Sequence, residues 1–357
     1  MTDEIWVLGA TGRTGRAVAA QLQEAGVPVV LVGRDRGRLE MAAAGLGGEP
    51  RLVEASLDSV AAEMRRDPPA VVVNTVGPFT STGAVVARAC PPGTHYVDVA
   101  NELAAVQKVL DLDQEAADTG RVFVTGAGFG VLGTESVLLG LCEGRPPAKR
   151  VRVDALASLA IEDGVIGPAL AHTMVDGVPS GGQEVRHGRL VRASAFGEVE
   201  QLTTPDGETM STASFPSGEL LAAWRASRAE TVVAASSIAP TGTAIRLAMP
   251  VLSALFRIPG VTGLAATGLA RVKLREQERP RPFSWTHARA EWADGEVREG
   301  WLRTGDAMDF TAAATAEVAR RLARGDGRPG AYTPGALFGP GLAEAAGGEF
   351  LGEPSAR

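Results

Sequence analysis

The heptad Gly9-Ala10-Thr11-Gly12-Arg13-Thr14-Gly15 stands between two segments of different hydrophobic period, and its position constrains the fold more than any other feature. Ile5–Leu8 ahead of it is a continuous apolar run of strand length. Arg13–Ala25 behind it spaces its apolar residues as one face of a helix. A glycine-rich turn from strand to helix begins a βαβ unit, and the pattern continues. Further strand-like runs fall at Val27–Val32, Arg51–Glu54, Ala70–Val76, His95–Val99 and Val122–Thr125. Helical spacing falls between them at Asp35–Ala44, Leu57–Arg66, Ser81–Cys90 and Glu102–Thr119. The strands are apolar throughout, as strands buried on both faces are. Right-handed crossovers between them give an α/β fold with a doubly wound parallel sheet, the Rossmann architecture.

Beyond Gly126–Gly133 the grammar changes. Strand-like segments at Arg150–Ser158, Gln183–Arg192, Glu198–Thr203, Thr231–Ser237, Ala270–Glu278 and Trp285–Leu302 come with the turn dipeptides Asp206-Gly207 and Asp294-Gly295. Helical stretches at Ala169–Asp176, Gly218–Arg225 and Thr243–Phe256 interrupt them. This predicts a second α+β domain on a mostly antiparallel sheet, spanning 134–304, beside a first domain of 1–133 joined by about 305–350. Asp306–Arg324 reads as a long amphipathic helix, a short one follows near Leu342–Ala346, and the residues after Gly352 are expected to fray. The apolar run Leu247–Leu269 reads as buried structure, with a substrate channel or a dimer contact as the other readings.

Composition excludes several classes. A net charge of −7 offers no basic footprint for nucleic acid and disfavours an anionic membrane surface. The two cysteines, Cys90 and Cys142, belong to no metal-binding cluster, and no metal is expected. Without a basic leader ahead of Ile5–Leu8, a cytoplasmic, reducing location is expected.

The heptad itself matches a dinucleotide fingerprint. Gly9 permits the tight turn, Gly12 lets backbone approach a pyrophosphate, and Gly15 lets the helix pack on the sheet. The phosphates would rest on the helix N-terminus, with Thr11, Arg13 and Thr14 beside them. A carboxylate at the end of the second strand would select NAD; here the chain reads Val32-Gly33-Arg34-Asp35-Arg36. A guanidinium binds a 2′-phosphate with two parallel hydrogen bonds, so Arg34 points to NADPH. The plainer reading makes Arg34 a solvated arginine and Asp35 a helix cap. Asp58, after the third strand, falls near the adenine by topology or merely caps its helix. Thr75, Gly77, Pro78 and Phe79, after the fourth strand, should border the nicotinamide ribose.

Four segments carry a family resemblance: GATGRTG at the start, NTVGPF after the fourth strand, GTHYVDVANE at the fifth and GAGFGVLGTE at the sixth. They resemble the saccharopine dehydrogenase-like oxidoreductases, which include the trans-acting enoyl reductases. The likeness covers roughly residues 1–140 and 305–345 and fades through the middle. It implies a chain that returns to its first domain at the C-terminus, and a homodimer built through the second domain's sheet. The chain departs from the family at Phe129-Gly130-Val131, where a polar pair is common.

Reduction of a C=C or C=N bond needs a proton donor as well as a hydride. Neither Tyr96 nor Tyr332 is followed four residues later by lysine, which excludes the Tyr-x-x-x-Lys device. The catalytic candidates are Tyr96 and Asp98, which share one face of the fifth strand, and His172, which is spaced i, i+4 from Asp176. Each has a structural reading: burial under a helix for the first two, a surface pair for the third. The resulting expectation is an NADPH-dependent reductase acting on a small biosynthetic metabolite. An amino-acid dehydrogenase handling an amine/keto-acid imine is the second reading, with Arg152, Arg186, Arg225 and Arg246 available to bind carboxylates. An NADP-sensing protein without catalysis is the third.

Overall fold

The computed structural model describes residues 3–160, 164–165, 181–194, 196–242, 251, 254–256, 258 and 260–352. It resolves into two compact units: Met1–Leu132 with Met308–Gly347, and Gly133–Ala307 with Gly348–Arg357. The helices expected at Ala169–Asp176 and, for the most part, Thr243–Phe256, and the tail after Gly352, lie outside the described residues.

In the first unit, strands β1 (Ile5–Leu8), β2 (Val29–Gly33), β3 (Arg51–Glu54), β4 (Val71–Asn74), β5 (His95–Asp98) and β6 (Val122–Val124) pair parallel in the order β3-β2-β1-β4-β5-β6. That is the doubly wound order, and it reverses between β1 and β4. Strands β1 and β4 are buried at every position, as their unbroken apolar runs require. The helices α1 (Arg13–Glu24), α2 (Arg36–Ala44), α3 (Leu57–Arg66), α4 (Phe79–Ala89), α5 (Leu103–Leu110) and α6 (Asp113–Asp118) connect the strands. The expected helix Glu102–Thr119 is thus two, α5 and α6. A seventh parallel strand, Gly330–Tyr332, joins β6 after the long helix Ala307–Ala323. Its Ala331 amide donates to Asp113 Oδ1 at 2.8 Å. The long helix is tied to the loop after β6, where Phe129 N donates to Thr311 Oγ1 (3.0 Å) and the Thr315 hydroxyl donates to Ala127 O (2.7 Å).

The second unit is built on a nine-stranded mixed sheet. Its centre is Arg150–Leu156, parallel to Thr231–Ser236 on one side and antiparallel to Ser284–Glu291 on the other. Ser284–Glu291 and Val297–Thr304 form the hairpin expected around Asp294-Gly295, where Gly295 has φ +88°. Three local expectations change. Gln183–Arg192 is a hairpin of Gly182–Arg186 and Arg189–Ala193, because His187 and Gly188 both turn through positive φ. Thr209–Ser214 is a strand that its polar sequence concealed. Ala270–Glu278 is mostly not a strand: Val261–Ala270 is helical, and Lys273–Leu274 is a two-residue strand paired with Gly164–Val165. At the C-terminus Glu349–Gly352 pairs with Val297–Thr304, so this last stretch belongs to the second sheet. Phe129–Cys142 is a continuous helix, and its Gly133 faces Thr286, where a Cβ would stand 2.7 Å from the threonine methyl.

One face of the second sheet buries an ionic cluster that sequence inspection did not single out. Asp154 accepts from the Thr212 hydroxyl at 2.6 Å and lies 3.0 Å from both Arg152 Nη2 and His287 Nδ1. His287 is paired across strands with Asp154 and with Trp301, whose ring centroid lies 4.4 Å from the imidazole. Its Nε2 lies 3.2 Å from Glu299 Oε1, off the line of a straight hydrogen bond. Burial pulls the imidazole pKa down, but the bond to Asp154 and the Glu299 contact outweigh burial and leave it above 6.5. Burial likewise pushes Asp154 up, yet His287 and Arg152 hold it below 3.8.

The stabilisation from protonated His287 is therefore complete below 6.5 and is lost as pH rises through the higher folded-state value. That from Asp154 is present above 3.8 and is lost as pH falls through the lowered value. Thermal unfolding should show the wild-type midpoint declining as pH rises above 6.5 and through the raised folded-state value, with His287→Gln lower in midpoint but lacking that decline. Equal alkaline slopes in the two proteins would contradict a protonated His287.

Candidate functional site

The β1–α1 turn is shaped by its glycines. Gly9 has φ +79°, and a Cβ there would stand 2.7 Å from Thr75 Oγ1. A Cβ on Gly15 would stand 2.8 Å from the Gly9 carbonyl carbon and 2.9 Å from Ala10 Cα, so only glycine lets α1 start this close to β1. Gly9 N and Ala10 N donate to Val32 O, and Gly12 N donates to Gly9 O, which fixes the loop. Arg16 Nη1 closes it from outside by donating to Thr11 O at 2.9 Å. Gly12 is the N-cap of α1 and makes no side-chain cap hydrogen bond, and the first turn holds no acidic residue. Thr11, Arg13 and Thr14 are half-buried around this helix start. A positive helix end, bare of side-chain caps and fronted by glycine, fits a pyrophosphate.

At the end of β2, Asp35 and Arg34 have separate tasks. The Asp35 carboxylate accepts from Arg38 N at 3.0 Å and caps α2, so it is turned onto its own helix. Arg36 is engaged with Glu40 (3.0 Å) and with Leu52 O (3.4 Å). Arg34 is exposed and has no hydrogen bond or ion pair among the described residues. An unpaired guanidinium beside an occupied carboxylate fits a 2′-phosphate and does not fit a site selecting a free 2′-hydroxyl. Asp58 is exposed in the first turn of α3, whose start is closed by Ser56 N donating to Ser59 Oγ (2.9 Å). Thr75 donates its hydroxyl to Leu8 O at 2.7 Å, linking β4 to β1 where the strand order reverses. Gly77 and Pro78, joined by a cis peptide, lead into α4, which opens with Phe79.

Tyr96 and Asp98 share one face of β5, both fully buried. The Tyr96 hydroxyl donates to Asp98 Oδ2 (2.8 Å) and accepts from Asn74 Nδ2 (3.1 Å). Asp98 Oδ1 accepts from the Thr125 hydroxyl (2.8 Å), Gly126 N (3.0 Å) and Ala100 N (3.0 Å). Gly83 of α4 lies over the pair, its missing Cβ leaving room 3.6 Å from Asp98 Oδ2. The network joins the carboxyl ends of β4, β5 and β6. Burial raises the Asp98 pKa, and its hydrogen bonds, those from Gly126 and Ala100 foremost, offset only part of that. Burial and the charge of Asp98 push the Tyr96 phenol well above 10.0. Asn74 and Thr125 were not among the sequence-derived candidates; their signal was a polar residue closing an otherwise apolar strand. His172 and Asp176 lie outside the described residues. Cys90 and Cys142 are free, and burial pushes their thiols up to about 12 and about 11, so neither supplies a thiolate. No group of His, Cys, Asp and Glu that could hold a metal occurs among the described residues.

Comparison with known proteins agrees with this geometry. Residues 5–124 match the family described as the saccharopine dehydrogenase NADP binding domain. A trans-acting enoyl reductase of Mycobacterium tuberculosis strain H37Rv is 34% identical over 139 residues, which is 35% of this chain and 32% of that protein. The trans-acting enoyl reductase of Mycobacterium leprae is 33% identical over 134 residues, with the same shares covered. The match thus spans about a third of these relatives' length. Apo saccharopine dehydrogenase (L-Glu forming) from Saccharomyces cerevisiae superposes with a TM-score of 0.62, covering 99% of this chain and 100% of that one at 12% identity. Residues 5–124 are a saccharopine dehydrogenase-type NADP-binding domain. The chain as a whole has the saccharopine dehydrogenase fold, and NADP(H) is the cofactor its first domain is built for.

Replacing the guanidinium by a carboxylate should reverse its preference. Arg34→Asp is expected to weaken NADPH binding by about tenfold or more, the scale of one charge-assisted pair, and to spare NADH. Calorimetric titration of both nucleotides checks this; unchanged NADPH affinity would make Arg34 a bystander.

Proposed function

We propose that this protein is an NADPH-dependent reductase that transfers a hydride to an activated C=C bond of a small, enoyl-type biosynthetic metabolite. The observation that carries this reading is the unpaired Arg34 beside the capping Asp35, at the end of β2 in a domain with the NADP-binding fingerprint. The relatives named as enoyl reductases support C=C reduction, since they share this domain at 33–34% identity.

Gly9, Gly12 and Gly15, with Thr11, Arg13 and Thr14, would hold the pyrophosphate, Arg34 the 2′-phosphate, and Asp58 would lie near the adenine. Thr75, Gly77, Pro78 and Phe79 would border the nicotinamide ribose. Bound NADPH supplies the hydride, and a proton added at the neighbouring carbon completes the reduction. Tyr96 and Asp98 are positioning residues in this reading. The phenol already donates to Asp98, neither side chain reaches solvent, and together they hold the loops that end β4, β5 and β6.

The imine-reducing alternative has less support. A carboxylate-bearing amino-acid substrate needs free cations, yet Arg152 is buried against Asp154 and Arg186 pairs with Glu184. Arg225 is the remaining described candidate. The two free cysteines fit a reducing, cytoplasmic setting.

Two experiments test this proposal. NADPH oxidation against matched panels of 2-enoyl thioesters and cyclic imines should proceed with the enoyl panel. Turnover with imines alone would favour the amino-acid dehydrogenase reading, and turnover with neither would favour a sensor. Tyr96→Phe should lower thermal stability by about 1–3 kcal/mol. It should cut turnover less than about tenfold and leave the pH profile unchanged. A loss of ~100-fold or more with a displaced pH limb would make Tyr96 the proton donor.

A further inference from the structure

We infer that the helix Val261–Ala270, with Arg271, Lys273 and Arg275 behind it, forms a peripheral docking surface for an anionic lipid bilayer. This part of the chain was expected to be buried. Several of its apolar residues are instead exposed: Val251 and Leu264 by 72% and 79%, with Leu255, Ile258 and Val272 also open, while Val261, Leu269 and Ala270 are half-buried. The helix Val261–Ala270 has the sequence VTGLAATGLA, apolar or small all round, and only Ala266 of it is buried. A helix without a polar face is normally found inside a protein core or in contact with lipid. The turn before it is tied to it, Val261 N donating to Ile258 O (3.2 Å) and the Thr262 hydroxyl to Phe256 O (2.9 Å). Ile258 and the helix are therefore parts of one local structure.

Charge identifies the occupant. The protein carries a net −7, yet no acidic residue occurs between Glu230 and Glu276, while Arg246, Arg257, Arg271, Lys273 and Arg275 fall within that interval. Arg271, Lys273 and Arg275 directly follow the apolar helix, are exposed, and have no ion-pair partner among the described residues. Local charge thus opposes the global charge that had argued against an anionic membrane. Apolar side chains flanked by unpaired cations match the boundary between acyl chains and anionic headgroups. A ten-residue helix is far too short to cross a bilayer, and no described helix is long and apolar enough to do so, so the segment would lie on the surface. An apolar groove on a protein partner would not call for this excess of unpaired cations.

Flotation of the full chain with phosphatidylglycerol vesicles and with neutral phosphatidylcholine vesicles tests the inference. The wild type should float with the anionic vesicles at low salt and release as salt rises. Arg271→Gln with Lys273→Gln should lower the partition coefficient about fivefold per charge removed. Leu264→Glu should abolish flotation; Leu264→Gln, with thermal unfolding as a fold control, provides a milder second variant. Failure of the wild type to bind anionic vesicles, equal binding to neutral ones, or indifference to both sets of variants would overturn the inference. So would a dimer that Leu264→Glu splits without any vesicle binding, which would make this face a contact between copies of the chain.

Discussion

A parallel sheet brings the carboxyl ends of its strands to one edge, where their loops must be held in register without neighbouring strands to hold them. Here the buried Asp98 carboxylate does much of that work. It accepts four hydrogen bonds, from Tyr96, Thr125, Gly126 and Ala100, and through Tyr96 it reaches Asn74. Burying a carboxylate is costly unless its oxygens are satisfied, so each donor is needed. The result fixes the ends of β4, β5 and β6. At the switch in strand order, the Thr75 hydroxyl on Leu8 O and the close approach of Gly15 to Gly9 fix β4, β1 and α1 in turn.

The first domain was largely legible in the sequence. Strands buried on both faces must be apolar throughout, and helices packed on one side must repeat at helical spacing, so both periods were visible. The glycines had to be where they are because a Cβ at Gly9 or Gly15 would collide with neighbouring atoms. Asp35 caps α2, as the plainer reading of Val32–Arg36 had it, and Arg34 stands exposed beside it. What the sequence could not show was that Tyr96 and Asp98 bind each other. Their shared face on β5 fitted a catalytic pair and a buried pair, and the structure adds that Asn74, Thr125 and Gly83 close around both side chains.

The second domain was less legible because several of its polar residues are buried on one face of its sheet. Arg152, Asp154, Thr212 and His287 come from three separate stretches of chain and meet on one sheet face, buried together. Nothing in the local period of any one strand indicates that its charges will be buried. The polar strand Thr209–Ser214 was hidden for the same reason: it supplies Thr212 to the cluster and pairs through its backbone. Conversely, Val261–Ala270 is apolar yet only half-buried, with Leu264 in the open, so hydropathy alone placed it inside.

The central claim is that the first domain selects NADPH through one unpaired arginine on a glycine-shaped cradle. Fluorescence titration of the unmodified protein with NADPH and NADH, with 2′,5′-ADP as competitor, measures it most directly. The account predicts that NADPH binds at least about tenfold tighter and that 2′,5′-ADP displaces it better than 5′-AMP does. Equal affinity for the two nucleotides, with no advantage for the 2′-phosphorylated competitor, would contradict it.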